Sequence, residues 1–323
     1  MHARVLILPL LAALALLGVA LPASAAPARN TPVPTAATPS IVTHTVADDS
    51  ASRERALLAY WTPQRMRDAI PMPAPKSNAL PALPLPKAAA TGPRILARPT
   101  GAKSLRPNLV RPDALSTSTT QGKVFFVDPG TNTAYECSGG TINNPTGDMV
   151  TTAGHCVYDN GRWMTDWIYV PAYYNGPTSY GTWFSSQMTT FPEWTLDSNP
   201  NYDFAIVNVA PASTGATLVA TAGGNGLEYD ESYVQNVVIW GYPGSVLIPY
   251  YCVVTTFEQN AGEVGAPCDM PNGASGGPWL EDYNTTTGDG YEFGLNSFGT
   301  SSDIYSPYFT SAMDQLYAQT AQQ

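Results

Sequence analysis

The sequence predicts an all-β domain of barrel or sandwich type that ends in one helix and follows 120 residues of a different character. Three observations lead there. Short runs rich in branched and aromatic residues recur from Gly122 onward: "KVFFV", "WIYVPAYY", "FAIVNV", "VQNVVIWGY" and "EFGLNSFG". Gly, Asn, Pro and Ser separate them, the residues that tight turns require. Charge and composition both change just before the first run. At 323 residues the chain suffices for one large domain or two medium ones and buries a sizeable core.

In chain order, His2 and Arg4 precede an uncharged run from Val5 to Ala20, and Ala23 to Ala25 supply small residues at the spacing of a cleavage site. Residues 1–25 therefore read as a secretory signal peptide. No later run approaches the ~20 apolar residues of a membrane span. The expected product is secreted, extracellular and free of the membrane after signal cleavage.

Residues 26–120 are expected to form a basic pro-segment and linker. Within them "RALLAYWTPQRMRDAI" places Leu57, Leu58, Tyr60 and Trp61 before a Thr62-Pro63 pair suited to an N-cap and first helical turn, a short docking helix. From Pro71 to Pro112 the chain is rich in Pro and Ala, a composition expected to stay extended and unpacked. At the other end, Ser306-Pro307 suits a helix start, with Phe309, Met313 and Leu316 at helical spacing.

Residues 1–120 carry thirteen bases and five acids, a net +8, whereas residues 121–323 keep two bases, Lys123 and Arg162, against twenty acids, a net −18. Two such pieces attract one another, so the domain is expected to bind its own pro-segment. Small ions should weaken an attraction of that kind. No nucleic-acid partner is expected.

Candidate chemistry lies in three stretches. "NGASGGPW" crowds glycine around Ser275, which clears space for an attacking hydroxyl and turns backbone N–H groups toward a developing oxyanion. An ordinary turn has the same composition. A serine nucleophile needs a base, and His155 in "TTAGHC" is the one histidine after residue 120. An imidazole base works best beside a buried carboxylate that fixes its tautomer. Asp203 in "NYDFAIVNV" precedes an apolar run and should sit at the edge of a buried strand, where a strand-capping role is the alternative.

Together "TAGHC", "YDFAIV" and "GASGGP", in the order His, Asp, Ser, resemble the trypsin/chymotrypsin family of serine endopeptidases, in particular its bacterial secreted branch, over roughly residues 121–320. The resemblance implies a chymotrypsin-like fold of two antiparallel β-barrels with a C-terminal helix. His155 would be general base and then acid, Asp203 its orienter, and Ser275 the nucleophile that forms an acyl-enzyme. The N–H groups of Gly273 and Ser275 would form the oxyanion hole, and Ser297, Phe298 and Gly299 in "NSFG" would pair with the substrate backbone. Polypeptides are then the substrates, a monomer is expected, and neither cofactor nor metal is needed. The alternative is a protease-like binding protein without turnover. An esterase would place its histidine after the serine.

Four cysteines in an exported chain suggest two disulfides. The resemblance implies a Cys137–Cys156 bridge beside the histidine and leaves Cys252 with Cys268. It also exposes departures. Gly154 stands where the family has alanine. Ala274 stands where the animal enzymes carry the aspartate that receives the new N-terminus, so activation must differ. Asp269, six residues before Ser275, occupies the offset of the carboxylate that holds Arg or Lys side chains at a pocket base, which suggests a preference for Arg or Lys before the scissile bond. The acidic "EYDES" stretch, with Glu228, Asp230 and Glu231, reads as a solvated loop or a calcium site.

Overall fold

The structure is a computed structural model that describes residues 40–46, 51–75, 92–102, 118–177, 179–210, 215–244, 248–260 and 262–321. The expected signal peptide and much of the Pro/Ala-rich stretch lie outside these residues. Among the described residues no helix is long and apolar enough to cross a membrane.

Five elements precede the domain: β1 (Val42–Thr45), α1 (Ala51–Tyr60), α2 (Pro63–Asp68), β2 (Ile70–Pro71) and β3 (Arg94–Ala97). The first half of the domain contains β4 (Gln121–Asp128), β5 (Thr133–Ile142), β6 (Met149–Thr152), a small hairpin of β7 (Tyr158–Asp159) and β8 (Arg162–Trp163), β9 (Thr165–Pro171), β10 (Trp183–Thr190), α3 (Pro192–Asp197) and β11 (Ala205–Ala210). Strands β4, β5, β6, β11, β10 and β9 pair in that order, and β9 pairs again with β4, closing a barrel. Closure leaves no open edge in the ring.

The second half begins with α4 (Leu218–Ala222) and continues with β12 (Gly226–Tyr229), β13 (Asn236–Gly241), β14 (Tyr250–Thr255), β15 (Phe257–Asn260), β16 (Glu263–Ala266), β17 (Pro278–Asn284), β18 (Asp289–Leu295), β19 (Phe298–Gly299), β20 (Ile304–Pro307) and α5 (Ser311–Thr320). One sheet runs β14-β13-β17-β18-β12-β3 and the other β15-β16-β20-β19. No pairing among the described residues closes them into a second ring. The chain passes from the first sheet to the second at Thr256, between β14 and β15, and the two enclose a core of Val237, Ile239, Val264, Trp279, Phe293 and Ile304.

Burial on both faces explains the unbroken apolar run in β4. Val124 and Phe126 point into the barrel, while Phe125 and Val127 pack outward against Leu57, Trp61 and Met66 of the preceding helical segment. That segment forms as its sequence suggests: the Thr62 side chain accepts from the Arg65 N–H at 3.2 Å, and Pro63 opens α2. The Trp61 indole also donates to Asp166 O at 2.7 Å.

Two expectations are corrected. Parts of the Pro/Ala-rich stretch do pack: β2 lies parallel to β5, and β3 lies antiparallel to β12. Strand pairing satisfies extended backbone that composition alone leaves solvated. Ser306-Pro307 does not start the final helix. Both residues end β20, with Pro307 opposite Glu263, and α5 starts after Thr310, whose side chain accepts from the Ala312 N–H. Phe309 is buried ahead of the helix, and Met313 and Leu316 anchor it to the barrel core.

Candidate active site

His155 lies on a single helical turn, Gly154–Cys156, that follows β6. Asp203 follows a similar turn, Pro200–Tyr202, just before β11. Because β6 and β11 are paired neighbours, the two turns emerge side by side. The Asp203 carboxylate is fully buried and accepts from the His155 main-chain N–H at 2.8 Å and from Nδ1 at 2.9 Å. Ser297 Oγ donates to it from the second half of the domain at 2.5 Å.

Three donors stabilise an ionised carboxylate that is otherwise costly to bury. An acceptor at Nδ1 fixes the imidazole tautomer with its proton there, which leaves Nε2 as the basic nitrogen. Nε2 is buried without a hydrogen-bond partner. A group of this kind can take a proton and carry the resulting charge beside Asp203.

The disulfides are Cys137–Cys156 and Cys252–Cys268, with Cα atoms 6.3 and 6.1 Å apart. The first ties the histidine turn to β5. Ser275 O accepts from the Ser138 N–H at 2.7 Å and lies 3.9 Å from Cys156 Sγ, so the serine loop rests on the residues flanking this bridge. Gly273 has φ +95°, and a Cβ there would sit 2.8 Å from Gly244 N. Only glycine fits. Among the described residues no hydrogen bond uses the N–H of Gly273 or of Ser275.

A cavity of about 290 Å³ opens beside this loop. Ser275, Asp269, Ser297, Phe298 and Gly299 all line it, and Ala74 from the segment before the domain enters the same space. Phe298 and Gly299 form the short edge strand β19, paired on its other side with β20. Asp269 lines the cavity as an exposed residue, not as the buried carboxylate at a pocket base that its offset suggests. Ser297 belongs both to the cavity wall and to the His155–Asp203 cluster, so the two are adjacent.

Three residues escape sequence reasoning. Trp194 of α3 stands 6.3 Å from the His155 ring. A Cβ on Gly154 would lie 3.0 Å from both the Trp194 indole and Asp203 Oδ1, which explains glycine in place of alanine. Asn296 is buried, donates to Trp240 O and Ala274 O, and accepts from the Trp279 indole, which locks the serine loop to β13 and β17. Its position next to Ser297 in "LNSFG" is the one signal that pointed to it. Glu136 ends its buried side chain 2.7 Å from Lys123 Nζ; burial pushes the carboxyl up to about 7 and the ammonium below its usual range. Ala274, in turn, packs in the apolar core, and a Cβ on Gly241 would come within 2.6 Å of the Ala274 methyl. That site has no room for the aspartate of the animal enzymes.

No protein-family model matches the chain, and no curated protein matches it. Solved structures do. A thermostable serine protease, AL20, from an extremophilic microorganism aligns at 26% identity with a TM-score of 0.59, over 64% of this chain and 99% of its own. The protease Anisep from Arthrobacter nicotinovorans aligns at 29% identity with a TM-score of 0.58, over 64% of this chain and 98% of its own. The fold is that of the chymotrypsin/trypsin clan of serine proteases. A Glu endopeptidase, at 15% identity and a TM-score of 0.53, shares the clan fold over 66% of this chain. Likeness to the first two, with the buried His155–Asp203 pair, supports a protease-like hydrolytic role. Cys137 and Cys156, although close to His155, are consumed by their disulfide.

Proposed function

We propose that the chain is the precursor of a secreted serine endopeptidase. Ser275 attacks the scissile carbonyl, and His155 Nε2 takes its proton and returns it to the leaving amine. Asp203 holds the imidazole and balances its charge, while the Gly273 and Ser275 N–H groups receive the oxyanion. The second half of the domain acts as the partner of the first barrel across the cleft. The observation that carries this reading is the bridge made by Ser297, which touches Asp203 and lines the cavity that contains Ser275.

The same cavity supports a role for the pro-segment as an inhibitor. The Met72 N–H donates to Glu136 O at 3.0 Å, Pro71 packs so closely on Gly244 that a Cβ there would lie 1.8 Å away, and Ala74 lines the space beside Ser275. Ala74 narrows the space a substrate would use beside Ser275. Cleavage in the stretch containing Arg98, Arg106 and Arg111 would separate inhibitor from enzyme. For specificity, Asp269 is the one charged side chain among the described residues lining the cavity, which favours Arg or Lys.

A fluorophosphonate probe tests the catalytic reading. The processed enzyme should label at Ser275 and hydrolyse casein, and both should vanish in Ser275→Ala and His155→Ala. An unlabelled Ser275 with no hydrolysis would favour the binding-protein alternative. Asp269→Ser should depress cleavage after Arg and Lys by about tenfold or more, the scale of one lost charge-assisted contact. Cleavage after Phe or Leu at an equal rate in the parent enzyme would refute the preference.

A further inference from the structure

Away from the cleft, three carboxylates converge from separate parts of the second half. Glu228 lies on β12, Glu231 in the turn that follows it, and Glu281 on β17. Their ligand oxygens all fall within 4.8 Å of one another. Glu228 is only 2% exposed, and its Oε1 has no hydrogen-bond partner. Glu231 is oriented by donors of its own: the Ser232 N–H at 2.7 Å and the Gln235 amide at 2.5 Å reach its Oε1. Asp282 adds a fourth negative charge next to Glu281.

Such a cluster is unfavourable as it stands. A buried ionised carboxylate is costly unless paired, and like charges at this range repel. Among the described residues no ion pair reaches these three glutamates, and Arg94, on the strand beside β12, faces Asp230 at 3.9 Å.

We propose that Glu228, Glu231 and Glu281 form a binding site for a divalent cation, with Ca²⁺ the preferred ion. Carboxylate oxygens select hard cations over thiolate- or imidazole-loving metals. Oxygens this close can share one cation, and Ca²⁺, which accepts six to eight oxygens in irregular geometry, suits carboxylates held on separate strands better than Mg²⁺, which demands a near-ideal octahedron. The ion would tie β12 to β17 across β18, which lies between them in the sheet. It is a stabilising site, independent of the catalytic reading.

The test uses full-length protein carrying Ser275→Ala, so that self-digestion does not enter. Stripped with a chelator at pH 8, it should gain thermal stability on addition of millimolar Ca²⁺, more than with Mg²⁺ and not with Na⁺ at matched ionic strength. Tb³⁺ should bind and be displaced by Ca²⁺. Glu281→Gln, at a half-buried position, and Glu228→Gln should each lower Ca²⁺ affinity by about tenfold or more, as expected when a charged ligand is lost. Glu228→Gln should also raise the Tm of the stripped protein by relieving repulsion. If Glu228→Gln fails to fold, Glu281→Gln alone decides. No Ca²⁺-dependent shift, or an equal shift in the glutamine variants, would overturn the proposal. A stripped protein whose Tm rises on acidification while ignoring Ca²⁺ would also overturn it, identifying a proton-sharing carboxyl pair instead.

Discussion

Asp203 accepts three hydrogen bonds without any solvent contact, so its carboxylate cannot rotate without breaking them. Asp203→Asn keeps the shape but offers an N–H where Nδ1 needs an acceptor. In the processed enzyme kcat should fall by about 10⁴ with a much smaller change in KM; steady-state kinetics on a peptide substrate would show it. Gly154 is constrained from both sides, and Gly154→Ala should cost roughly 1–3 kcal/mol of stability through overpacking against Trp194 and Asp203. Denaturant titration measures this. Glu292 is a third case. It is fully buried, accepts from Thr151 Oγ1 at 2.8 Å, and is pushed by burial from its ordinary 4.5 up to about 8. The native state therefore holds this proton more tightly than the unfolded chain, and stability falls as pH rises from about 4.5 through 8. Glu292→Gln should be more stable than the parent at pH 9 by roughly 1–3 kcal/mol in denaturant titration, with the difference shrinking toward pH 5.

Among the elements, α1 and α2 show how a segment outside the barrel joins its packing. Leu57, Trp61, Met66 and Ala69 cover Phe125, Val127, Ile168 and Val170, the outward face of β4 and β9. Trp61 is the anchor, with 2% exposure and an indole hydrogen bond. Trp61→Ala in the full-length precursor should weaken docking by ~3–5 kcal/mol. The expected result is premature hydrolysis of a fluorogenic peptide before any processing. A precursor that stays silent would show that β2 and the residues after it hold the cleft without the helices. The Cys252–Cys268 bridge spans the exit from β14 and the approach to the cavity, 16 residues apart. It braces the chain between the two sheets of the second half.

On the scale of the molecule, opposite net charges before and after residue 120 suggest a mainly electrostatic union. The described contacts are of another kind. Apolar burial at Trp61 and strand pairing by β1, β2 and β3 join the segment to the domain, and the Arg94–Asp230 pair is 3.9 Å long with Arg94 more than half exposed. Exposed pairs contribute at most about 1 kcal/mol and are screened by salt. A peptide spanning residues 27–120, added to processed enzyme, should therefore associate faster at low salt yet keep most of its inhibitory potency near roughly 1 M, where screening is nearly complete. Loss of inhibition at that salt would restore the electrostatic reading.

By itself the sequence determined the β-rich class and the Thr62-Pro63 helix start and singled out the His, Asp and Ser stretches as candidates, because each is written in local signals: runs and turns, a cap, a motif. The bridge beside the histidine was legible only through the resemblance those motifs carry. Tertiary structure alone decided the rest. Pro307 ends a strand instead of starting a helix because Glu263 of β16 stands opposite it, a pairing 44 residues away. Extended Pro/Ala-rich backbone packs because β5 and β12 present edges that accept it. Trp194, Asn296 and the union of Glu228 with Glu281 depend on elements brought together across the sheets. Asp269 has the right offset but an exposed position, since spacing along a chain does not specify depth in a fold. Local signals report what a residue prefers; which preference prevails depends on the neighbours that folding supplies.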